Sequence, residues 1–177
     1  MELYLSPNGR IDQQIYWRAV LTLFGISAAI AILGAFVNPL LGLLGLVFVW
    51  PWIAVHVKRF HDAGKTGWLT VALVAVALVL YIILGLALPG LLGVDTAEIE
   101  AEMQREMERA TSQNDGGAMF SAMMDGARRA NQAQLVSSIV STGIVTGVLG
   151  AIMGLLRTEP NDNQHGPGPG GTSELFT

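Results

Sequence analysis

The stretch VKRFHDAGKTGW, residues 57–68, holds the densest set of chemically capable side chains in the sequence. His61 stands beside Asp62, and His56 lies five residues before it. An imidazole titrates near neutrality and a carboxylate can orient it. The pair therefore has the makings of a general base acting on a lipid or phosphate ester that Arg10 or Arg59 would hold. The run Gly64, Lys65, Thr66 also invites comparison with a phosphate loop. That motif needs glycine where Arg59 stands, and a strand-to-helix turn around it, so the comparison fails. A plainer chemistry fits better: Lys58, Arg59 and Lys65 attract anionic lipid headgroups, and Asp62 neutralises one of them or caps a helix. Gly64 and Gly67 then turn the chain ahead of Trp68. Three scattered histidines and no cysteine give no ligand spacing, so neither a metal nor a cofactor is expected.

A second set precedes the first apolar run, in NGRIDQQIYWR at residues 8–18. Tyr16 and Trp17 sit where an aromatic belt forms, and Arg18 can snorkel to headgroups. Beyond anchorage, Arg10 and Asp12 can fold back on His61 and Asp62 to build one polar site at the membrane surface.

These residues must be positioned by helices in a bilayer. The chain has 177 residues, 51% hydrophobic and only 14% charged, against about 25% charged in an average soluble domain. A net charge of −4 gives no basis for nucleic-acid binding. The fold class is therefore all-α, a polytopic transmembrane protein with four spans at 19–37, 40–57, 69–93 and 135–156. A span of about 19 residues at a rise of 1.5 Å measures roughly 28 Å, the thickness of a hydrocarbon core. Asn38 and Pro39 stop the first helix and turn the chain into an antiparallel hairpin, and Pro51 is expected to kink the second span. A cleavable signal peptide fits the first run poorly, because its apolar stretch exceeds the usual length. The spans hold no Asp, Glu, Lys or Arg, which counts against an ion-coupled transporter.

Residues 94–134 form an acidic, Met-rich extramembrane loop. Asp95 and Glu98 resemble a capping box that opens a helix striped by Ile99, Met103, Met107 and Ala110. Asn114 to Gly117 break it before a second helical piece. The methionine stripe reads as packing, not as a copper(I) site. Gly143, Gly147, Gly150 and Gly154 let another helix approach the fourth span, in this chain or in a homo- or hetero-oligomer. Residues 157–177 are rich in Gly, Pro, Asn and Asp and are expected to be disordered. Arg10, Arg18, Lys58, Arg59, Lys65 and Arg157 outnumber Arg105, Arg109, Arg128 and Arg129 across the membrane, so both termini are expected in the cytoplasm.

Two stretches, GRIDQQIYW and KRFHDAGKTGW, resemble the paired signatures of the bacterial inner-membrane family known as domain of unknown function 805. Matching positions are Gly9, Arg10, Tyr16 and Trp17, then Arg59, His61, Asp62, Gly64, Gly67 and Trp68. Lys58, Phe60 and Thr66 depart mildly from the pattern. The resemblance covers residues 1 to about 93, with the acidic loop, fourth span and tail standing as additions. It implies a small multispanning protein of the cytoplasmic membrane and carries no activity. The expected role is non-enzymatic, with a cytoplasmic-face motif that binds lipid headgroups or a protein partner. An interfacial enzyme and a channel or transporter subunit are the alternatives.

Overall fold

The computed structural model describes residues 2–112 and 115–168. Its elements are α1 (Glu2–Leu5), α2 (Gln13–Phe36), a 3-10 turn (Pro39–Leu43), α3 (Leu44–Asp62), α4 (Leu69–Leu91), α5 (Thr96–Ser112), α6 (Gly116–Ala133) and α7 (Leu135–Gly154). The fold is all-helical, with no strand among the described residues. Four helices, α2, α3 together with its preceding turn, α4 and α7, are long and apolar enough to cross a membrane.

Two helices extend past the apolar runs that announce them. α2 starts at Gln13 because the Asp12 carboxylate accepts the Ile15 amide at 2.7 Å, a side-chain cap. α3 continues to Asp62, so Lys58, Arg59, His61 and Asp62 stand on a helix, and the expected loop at 58–68 begins only after it. Helical geometry brings Arg59 and Asp62, three residues apart, onto one face as an ion pair. Gly64 then reverses the chain at φ +66°, a conformation that L side chains rarely adopt.

By its contacts the chain divides into two units. The first comprises Met1–Ile26, Leu46–Leu80 and Ile144–Thr177. Its core includes Tyr16, Val20, Leu23, Val55, Leu149 and Met153, all buried. Of the four glycines expected to receive a helix, Gly150 lies under the Trp17 ring, where a Cβ would overlap it. Gly154 faces Gln13, whereas a Cβ at Gly147 would meet nothing within 4 Å. Within the chain, the close approach is that of the Trp17 ring of α2 to Gly150.

The tail departs from expectation as well. Residues 157–168 run back over the motif and hydrogen-bond to it, because polar partners hold them in place of apolar burial. Residues 169–177, the rest of the stretch expected to be disordered, lie outside the described residues.

The second unit comprises Ser27–Gly45 and Tyr81–Gly143. Asn38 caps the 3-10 turn through Leu40 N at 2.9 Å. The carbonyls of Gly34 and Ala35 in the last turn of α2, which lack helical partners, accept from Asn131 and Gln132 of α6 at 3.4 and 3.0 Å. Asp95 accepts the Glu98 amide at 3.0 Å, and Asp115 accepts those of Gly117 and Ala118 at 2.8 and 3.2 Å. Ala110 is buried, and Met103 packs over Gly126, so the stripe on α5 meets α6.

Candidate functional site

The site lies in the first unit, where α3 ends. Arg59 is fully buried and pairs with the Asp62 carboxylate. It also donates to Thr158 Oγ1 at 3.0 Å and to the Leu156 carbonyl. Thr158 in turn donates to Asp62 at 2.7 Å. Arg10 approaches the same carboxylate at 3.5 Å and donates to the carbonyls of Glu159, Asn161 at 2.8 Å and Gly166 at 3.4 Å. Arg10 thus does fold back on Asp62, whereas Asp12 remains the cap of α2.

His61 does not use Asp62 as its orienting group. Its Nδ1 donates to the Gly9 carbonyl at 3.2 Å, a carbonyl being able only to accept. The Asp62 carboxylate is engaged by two guanidinium groups and a hydroxyl. The arrangement needed for a carboxylate-oriented general base is therefore not formed. The His61 ring stacks on His165 instead, with centroids 3.6 Å apart and planes within 2°. Asn163 donates to the His61 carbonyl at 3.0 Å, and the Glu159 amide donates to the Asp62 carbonyl at 2.8 Å.

The remaining motif residues divide between framework and surface. Lys58 is buried, and its ammonium donates to the carbonyls of Glu2 and Leu3 at 2.5 and 3.1 Å, tying down α1. Lys58 and Arg59 are thus turned inward, and of the three cations offered to headgroups only Lys65 is exposed. Tyr16 is buried, with its hydroxyl 3.3 Å from His56 Nε2. His56 Nδ1 lies 2.7 Å from the Trp52 carbonyl, so it carries the proton and Nε2 accepts from Tyr16. Trp17 is half-buried against Gly150. Gly67 is glycine because a Cβ there would press on Val57 and the His61 ring.

Beside the stacked imidazoles opens a cleft of about 630 Å³. Ile53 and Val57 of α3 face Val71 and Val74 of α4 across it, and Trp68, 81% exposed, stands at its edge. Asn8, His61, Thr66 and His165 form its polar end. Thr70, also in the lining, has a buried hydroxyl without a hydrogen-bond partner.

Thr158, Glu159, Asn163 and His165 were not legible as site residues. Their only signal was a density of hydrogen-bonding side chains in a stretch too polar to pack. The model of a family described as Protein of unknown function (DUF805) matches residues 4–167. The match runs far beyond residue 93, so the acidic loop, the fourth span and the first part of the tail belong to the family pattern and are not additions. The contacts of α7 and the tail with both motifs give the physical reason. No curated protein and no solved structure matches the chain.

Proposed function

Since the chain belongs to that family, whose description assigns no activity, we propose from the geometry that it is a non-enzymatic membrane protein that binds an amphiphile, with an acyl chain in the α3–α4 cleft and a polar headgroup at its histidine end. The cleft carries this reading. Its volume falls within the range of small-molecule sites, its walls are branched aliphatic side chains, and its polar groups gather at one end. Lipid is the ligand closest to hand, since α3 and α4 are both apolar enough to span a bilayer.

The excess of Lys and Arg on the segments that flank the first hairpin supports a cytoplasmic position for this end and for both termini, in a bacterial inner membrane. Exposed Lys65 then draws anionic headgroups toward the cleft. Filling the cleft with Val74→Trp and weighing bound lipid by native mass spectrometry tests the proposal. The expected result is loss of lipid that the unaltered protein retains. An unchanged lipid complement would refute it.

A further inference from the structure

Two buried guanidinium groups share one carboxylate at the end of α3. The Arg10 and Arg59 side chains are 5% and 0% exposed, and Asp62 is the one acidic group within 4 Å of either among the described residues. The cluster therefore holds a net positive charge away from water, an arrangement that proteins ordinarily complete with a further anion. The Nε of Arg10 and the Nε of Arg59 are also buried without hydrogen-bond partners. The neutral acceptors around the pair are the Asp62 carbonyl, the carbonyls of Leu156, Glu159, Asn161 and Gly166, and the Thr158 hydroxyl, all but the first from the strap of residues 156–168 that follows α7. The strap's carboxylates turn elsewhere, Glu159 toward Asn163 and Gly64 and Asp162 toward the Gly168 amide.

We infer that Arg10 and Arg59 form a binding site for a phosphate oxyanion, which residues 156–166 occupy with backbone carbonyls until the anion displaces them. A guanidinium binds a phosphate oxygen pair more strongly than it binds a neutral carbonyl, because both partners are then charged and the contact is bidentate. Departure of the strap also removes Glu159, leaving the site more positive and reinforcing the exchange. The same strap carries His165, the lid of the stacked pair at the polar end of the cleft. An anion seated on Arg10 therefore opens the place where a headgroup enters. This deepens the amphiphile reading and rests on it for the lipid source alone. The oxyanion site itself also serves free phosphate.

The test uses the full-length protein in mild detergent, titrated with dioleoyl phosphatidic acid, with dioleoylglycerol, which has the same chains and no phosphate, and with inorganic phosphate. Binding is read by native mass spectrometry, and strap opening by hydrogen exchange over residues 158–168. Phosphatidic acid is expected to bind about tenfold or more tightly than dioleoylglycerol, and to speed exchange in the strap, because each hydrogen bond to a charged group is worth about a decade or more in affinity. Arg10→Gln should abolish the preference and any further rise in strap exchange on adding phosphatidic acid, each measured against the variant alone, and Arg10→Lys should restore part of the preference. Strap opening by inorganic phosphate without retention of either lipid would uphold the anion site and refute the amphiphile proposal. Equal affinity for the two lipids, with strap exchange unmoved by either phosphate source, would overturn the inference.

Discussion

Asp62→Asn is the most informative single change in the cluster. The asparagine has the same shape, so packing is conserved and the effect is electrostatic. Asp62 serves Arg59, Arg10 at 3.5 Å and the Thr158 hydroxyl at 2.7 Å, and all three are donors. In the variant, two guanidinium groups lie together in a buried site without a counter-charge, and one amide edge presents a donor to donors. Removing one partner of a buried ion pair costs about 3–5 kcal/mol, and a carboxylate serving two cations belongs at the upper end of that range. At roughly 2–4 °C per kcal/mol for a chain of this size, 4–5 kcal/mol lowers the unfolding temperature by about 8–20 °C. The assay is thermal unfolding of the helical signal in one detergent, with hydrogen exchange of residues 158–168 recorded in parallel. The strap should exchange faster at temperatures well below global unfolding, because Thr158 and Glu159 both attach at Asp62. A drop of under about 1 kcal/mol would refute the view that this carboxylate neutralises a buried cation pair.

Arg59→Met should cost much less, about 1–2 kcal/mol in the same assay, since it leaves Arg10 and Asp62 as a balanced pair and fills the space with an apolar chain. A loss equal to that of Asp62→Asn would contradict the charge count. Gly147→Ala, facing open space, should stabilise α7 by about 0.5–1 kcal/mol, whereas Gly150→Ala drives a Cβ into the Trp17 ring and should lie about 1–3 kcal/mol below it. Equal unfolding temperatures for the two variants would show that Trp17 does not pack there.

The membrane architecture was legible because uncharged apolar runs of bilayer length have few other uses. Asn38–Pro39, Asp95 and Asp115 marked turns and caps for the same local reasons that the structure uses them. The ends of α2 and α3 were harder to read. Hydropathy stops where charge begins, whereas the helix continues as long as caps and an i, i+3 pair sustain it, here from Gln13 and as far as Asp62.

The motif residues were visible in sequence as a polar cluster, but their division of labour was not. Nothing in KRFHD says that Arg59 and Lys58 turn inward while Lys65 turns outward. That depends on the helix face and on acceptors in residues 2–3 and 156–166. Half of the expected fold-back held, because Arg10 is long enough to reach Asp62 while Asp12 caps its own helix. The strap was least legible of all. Its order comes from side chains such as Thr158 and Asn163 answering particular partners, and composition counts only the apolar burial that this stretch lacks.

The central claim is that both motifs and the strap close into one cluster on one membrane face. The chain has no cysteine, so cysteines placed at His61 and His165 report on it without interference. A short bifunctional thiol cross-linker should join the two in native membranes, and a membrane-impermeant maleimide should reach Lys65→Cys and His165→Cys from the cytoplasmic side alone. Failure to cross-link, or labelling of these two positions from opposite faces, would contradict the account.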